Sequence, residues 1–135
     1  MPEHLHCTSE EDVAQLGRKL QIALPRAYRD VLIRYPFPLD DDLARVVLYE
    51  DPKKIVAQNE YYRTAGFFGH SWPLHYLIIG DFMNGDLVFL DTALARAPVF
   101  IANHELSSGK ADLAVEDVGS TLSEWVIKLL ALSQE

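Results

Sequence analysis

Residues 72–91 read WPLHYLIIGDFMNGDLVFLD, and how this stretch divides decides the fold. Two apolar runs, Leu74–Ile79 and Leu87–Leu90, flank Gly80-Asp81-Phe82-Met83-Asn84-Gly85-Asp86. Short runs rich in β-branched and aromatic residues, bounded by Gly and Asp, read as strands buried on both faces. Asn84-Gly85 is the hairpin signal, because both residues tolerate the positive φ that a tight turn of the right twist requires. The expectation is an antiparallel hairpin at the centre of a sheet, covered by helices from the rest of the chain.

Downstream, Pro98–His104 (PVFIANH) reads as the next strand, with Pro98 first, where its missing N–H does least harm. Ser107-Ser108-Gly109 is a turn, and Leu113 and Val115, with Ala111, alternate weakly as an edge strand. Thr121-x-x-Glu124 is a capping box opening a helix with Leu122, Trp125, Val126, Leu129 and Leu130 on one face. Upstream, residues 67–73 form an aromatic loop that either packs over the core or makes an exposed patch. Asp51-Pro52 supplies an N-cap and an N1 proline for a helix over 52–64, with Ile55, Val56, Asn59 and Tyr62 inside and Gly66 closing it.

Arg45–Tyr49 (RVVLY) reads as a strand. Leu24-Pro25 opens a helix over 25–35 that aligns Tyr28, Val31, Leu32 and Tyr35 and stops at Pro36 and Pro38. Thr8-Ser9-Glu10-Glu11 is a capping box for a helix carrying Val13, Leu16 and Leu20 on one side, and residues 1–7 read as a loose tail. Consecutive strands late in the chain argue for an α+β class. The expected architecture is a single domain over residues 1–135, with a mostly antiparallel central sheet of four to six strands covered by about four helices.

The 135 residues are 49% hydrophobic, and a chain this long buries about two-thirds of its unfolded surface, so folding needs neither metal nor disulfide. Cys7 is the only cysteine, which excludes an internal disulfide. The sequence opens without a basic segment leading into an apolar core. No apolar run approaches the ~20 residues of a membrane-spanning helix, and the expectation is a cytoplasmic protein without a membrane partner. The formal net charge is -8. Residues 1–63 hold nine basic and eleven acidic side chains, whereas residues 64–135 hold three and nine. Such a surface repels phosphate backbones, which argues against direct nucleic-acid binding, and favours a basic protein partner. Solubility alone also accounts for it.

No dinucleotide, phosphate-loop, zinc-protease or nucleophile-elbow motif is present. His4, His6 and Cys7 sit in the terminal tail with no fourth ligand nearby in sequence. His75 reads as a core histidine inside a strand, His70 lies in the aromatic loop, and His104-Glu105 ends a strand. No catalytic, cofactor or metal residue is expected. Asp81, Asp86 and Asp91 read as turn caps, as contacts for a partner, or as carboxylates that hold a cation or do acid–base work. Asp40-Asp41-Asp42 is a solvated loop or a contact for a basic partner, and Trp72 is a further partner contact. A small enzyme or ligand-binding protein would instead need His70, His75 and His104 to converge with the hairpin carboxylates. A self-associating protein would use Phe67, Phe68 and Trp72 as its patch; a monomer is the expected state.

Several of these pieces, taken in order, resemble the SUKH superfamily, also called the Smi–Knr family. Glu10-Glu11-x-x-x-x-Leu16 precedes Leu24-Pro25-x-x-Tyr28-x-x-x-Leu32, as the family's opening helices do. Ile79-Gly80-Asp81 followed by Gly85-Asp86-x-x-x-Leu90-Asp91 is similar to its central hairpin, and Pro98-Val99-Phe100 with His104-Glu105 to its next strand. Leu122-Ser123-Glu124-Trp125-Val126 is similar to its last helix. The likeness runs from about residue 10 to residue 130; Arg34-Tyr35-Pro36-Phe37-Pro38 and Thr121-Leu122 depart from the family's pattern. The resemblance implies a SUKH-like fold and a binding protein rather than an enzyme. Bacterial members are largely immunity proteins that block secreted toxins, often nucleases, and fungal relatives are scaffolds in cell-wall signalling.

Overall fold

Among the residues the structure describes, chain order is α1 (Glu10–Leu20), α2 (Arg26–Ile33), α3 (Pro52–Ala65), β1 (Tyr76–Asp81), β2 (Leu87–Asp91), β3 (Pro98–Ala102), the one-turn α4 (His104–Ser107), β4 (Val115–Thr121) and α5 (Leu122–Ser133). This computed structural model describes residues 9–36, 47–94, 96–109 and 113–133. The tail with His4, His6 and Cys7, the acidic run Asp40-Asp41-Asp42 and the start of the RVVLY segment lie outside the described residues. The architecture is α+β, as the order of elements predicts: one four-stranded antiparallel sheet in the order β1-β2-β3-β4, with helices packed over it.

Local chemistry explains most element ends. Ser9, rather than Thr8, caps α1: its hydroxyl accepts the Asp12 N–H while Asp12 reaches back to the Ser9 N–H, so the capping box is one residue later than predicted. Asp51 caps α3 through the Lys53 N–H, and Gly66 closes it at φ +80. Glu124 and Thr121 form the predicted box ahead of α5. The apolar faces predicted for α1, α2 and α5 are the buried ones, with Val13, Leu16, Leu20, Tyr28, Leu32, Leu122, Trp125 and Val126 all in the core. Packing puts α3 on β1 and α5 on β3 and β4, with α1 and α2 bridging between α3 and α5.

The hairpin differs from its prediction in three ways. β1 lies at one end of the sheet and β2 inside it, so the hairpin is not central. Leu74 precedes β1 in a turn and is 67% exposed. The connection is a five-residue loop, 82–86, in which Met83 (φ 66) and Gly85 (φ 105) take the left-handed conformation while Asn84 does not. Asn84 instead turns the chain with its side chain, whose Oδ1 accepts the Asp86 N–H at 2.9 Å.

The outer edge of β1 is closed by groups distant in sequence. Asn59 on α3 is fully buried; its Oδ1 accepts the Ile78 N–H at 2.8 Å and its Nδ2 donates to the Ile78 carbonyl at 3.0 Å and the Ile55 carbonyl at 2.8 Å. The Tyr49 N–H donates to the Ile79 carbonyl at 2.8 Å. Val47–Tyr49, predicted as part of a strand, is not one; it runs past β1 with that single ladder-like bond. It passes so close that a Cβ on Gly80 would sit 1.8 Å from the Val47 carbonyl oxygen, which is why this position has no side chain. The β1–β2 register shifts between Ile78 and Gly80, at the same place.

On the sheet, Phe89 and Phe100 are cross-strand partners with stacked rings 5.6 Å apart, and Tyr76 stacks on Phe89 at 4.4 Å. The loop after α3 lays Trp72 edge-on over Phe89 at 5.2 Å, with Phe67 5.7 Å from Trp72. The aromatic loop therefore packs inward. Phe67 and Trp72 are core residues, and of the three rings in the alternative self-association patch only Phe68 is exposed.

Candidate functional site

The hairpin loop gathers the polar side chains that the sequence singles out. Asp81 accepts the Met83 N–H through Oδ1 at 2.8 Å and the Tyr49 hydroxyl through Oδ2 at 2.5 Å. Gln58 Nε2 donates to the same hydroxyl at 3.0 Å, and the Lys54 ammonium lies 4.8 Å from the Tyr49 ring centroid. Burial first, and then donation to Asp81, hold the Tyr49 phenol well above its ordinary pKa, so it serves as a neutral donor.

Asp86 fastens the loop to α4. One oxygen, Oδ1, accepts both the His104 backbone N–H at 2.9 Å and the His104 ring Nδ1–H at 2.5 Å. The ring also packs against Gly85, where a Cβ would meet it at 3.0 Å, and lies 5.4 Å from Phe68. His70, from the aromatic loop, donates through Nε2 to the Ser107 carbonyl of α4 at 2.7 Å. His104 thus begins a one-turn helix capped by Asn103, where the sequence predicts the end of a strand.

His75 is elsewhere. It lies in the turn before β1 and is largely exposed, its Nε2 3.8 Å from Asp91 Oδ1, so it is not the core histidine predicted. Pairing of Tyr76 with Asp91 and of Asp81 with Leu87 puts His75 and Asp91 at one end of the hairpin and Asp81, Asp86 and His104 at the other. The three histidines therefore do not converge. Among the described residues no group of three or more His, Cys, Asp or Glu side chains is placed to hold a metal ion. Asp81 and Asp91 each accept a backbone N–H two residues on, as turn caps do. Trp72, predicted as a partner contact, is 4% exposed, and its indole N–H donates to the Tyr76 carbonyl at 3.2 Å.

The exposed carboxylates that the sequence reading passed over are on β4. Glu116 and Asp117 are exposed, as is Glu105 on the nearby α4, where the Asn103 N–H reaches the Ala114 carbonyl. The available signal is the segment VEDVGST, with three β-branched residues in seven and no Pro, Lys or Arg.

Among the described residues no helix is long and apolar enough to cross a membrane. No curated protein and no solved structure matches the chain. The family model described as SMI1 / KNR4 family (SUKH-1) matches residues 7–128.

Proposed function

The chain belongs to the SMI1 / KNR4 family (SUKH-1), and from that premise we propose that it is a protein-binding module of immunity type, which docks on a basic toxin domain and blocks it. One observation carries the reading. The part of the chain that builds the sheet holds nine acidic side chains against three basic ones. Complementary charge of this kind raises association rates by ~10–10³-fold and suppresses wrong partners. The hairpin and β4 carboxylates are the contacts in this reading, with Asp81, Asp86 and Asp91 at the two ends of the β1–β2 hairpin. Trp72 supports them from the core rather than touching the partner. The proposed protein is a cytoplasmic monomer that binds no nucleic acid directly, contacts no membrane and performs no reaction. Asp40, Asp41 and Asp42 remain proposed contacts on charge alone.

The Asp86–His104 pair favours a second reading, a small-ligand or acid–base site at the hairpin loop. His104→Asn, which keeps a side-chain N–H donor beside Asp86 and removes the imidazole, separates the two: the immunity reading keeps toxin neutralisation, and the second loses its activity.

The test is titration of the purified chain with a toxin domain encoded directly upstream of it, at low and high salt. The proposal expects a one-to-one complex that abolishes toxicity and weakens as salt rises. A neighbouring toxin that is neither bound nor inhibited contradicts it.

A further inference from the structure

We propose that the outer edge of β4 receives an extended basic segment of a protein partner as an added fifth strand. The inference rests on the protein-binding reading above and gives it a surface and a geometry. β4 is the last strand of the sheet and pairs only with β3; among the described residues, no backbone reaches its other side. In an antiparallel edge, alternate residues turn their N–H and C=O groups outward, a template for another strand. The usable stretch is the regular pairing of Val115, Glu116 and Asp117 with Ala102, Ile101 and Phe100. Beyond it the register shifts, and Gly119 (φ +78) bends the chain, its N–H donating to Asp117 Oδ1 at 2.8 Å. Pairing therefore ends there.

Charge selects the occupant. A second copy paired antiparallel along β4 would bring Glu116 and Asp117 against their own kind, which is unfavourable. Glu116 and Asp117, being adjacent, lie on opposite faces of the strand, so a segment bearing Lys or Arg at alternate positions sets its cations on the face of one of them, Glu116, and Glu105 adds to the field. Lys128 donates to Ser120 at 2.5 Å, past the bend.

The probe is a short synthetic peptide of alternating lysine and valine, added to isotope-labelled protein and followed by amide chemical shifts and hydrogen exchange. The expected result is shifts and slowed exchange confined to β4. An analogue N-methylated on its pairing face should lose the effect, and Glu116→Lys should weaken binding on the order of tenfold. No binding, shifts centred elsewhere, or equal binding of the N-methylated analogue would each overturn the assignment. A cognate toxin that binds the Glu116→Lys protein as tightly as the parent would also overturn it, while leaving the immunity reading intact.

Discussion

The two outer strands of this sheet face opposite requirements. β1 has its outward groups answered by side chain and main chain from far away in sequence: Asn59 on Ile78, Tyr49 on Ile79, and the Val47 carbonyl against Gly80. Its middle four residues are buried. β4 begins with three exposed residues, carries two carboxylates, and has no described backbone beyond it. An edge is dangerous to a protein only where it can pair indiscriminately. One edge here is removed from solvent; the other keeps only a short regular stretch before its bend at Gly119 and carries negative charge.

The comparison is most easily broken at Gly80. Gly80→Ala places a methyl group inside the Val47 carbonyl, a backbone obstacle that cannot rotate away. The expected loss is about 3 kcal/mol or more by denaturant unfolding, or failure to fold. Asn59→Leu keeps the bulk but strips the Ile78 N–H and C=O of their partners; a loss of about 2–3 kcal/mol is expected in the same assay.

Alkaline titration sharpens the contrast from another side. Burial raises the pKa of Tyr28 and of Tyr49, the latter in the segment that closes β1. Each folded-state value lies above the unfolded one. Their stabilisation is therefore complete below the ordinary tyrosine range and is lost as pH rises from that range toward the raised folded-state values. Stability should fall steeply there, and Tyr28→Phe should reduce the slope. Because the Tyr28 hydroxyl is buried with no hydrogen-bond partner among the described residues, the same change should add about 1 kcal/mol at neutral pH. The smallest effect belongs to the open edge. Glu116→Lys should leave the melting curve within about 0.5 kcal/mol of the parent, since that side chain is exposed.

What the sequence revealed follows the same division. β1, β2 and β3, the helix faces, the Thr121 box and the inward side of α3 are legible because they depend on neighbours a few residues apart, whereas the edge strand read at Ala111, Leu113 and Val115 shares only Val115 with β4 (Val115–Thr121), Ala111 lying outside the described residues. The closure of β1 is not legible. Gly80 resembles any turn glycine until Val47 is known to lie against it, and Asn59 was placed on the inner face with no hint of its partner. Asn84-Gly85 signalled a turn correctly, but the loop length depended on Asp86 being drawn to His104. The strand reading of RVVLY failed at Val47–Tyr49 because β-branched residues suit any buried extended segment, paired or not. His75 reads as a core residue because it falls within the apolar run from Leu74, whereas the strand begins at Tyr76. At the candidate site, the Asp81 and Asp91 turn caps were readable from spacing, and the Asp86–His104 pair, 18 residues apart, was not.

Native-state hydrogen exchange, residue by residue, tests the difference between the edges most directly. The amides of Ile78 and Tyr49 should exchange only through global opening, among the slowest in the chain, while the outward amides within Val115–Asp117 exchange nearly as fast as open loop. Equal protection along both strands, or an Ile78 amide that exchanges freely, would contradict the account.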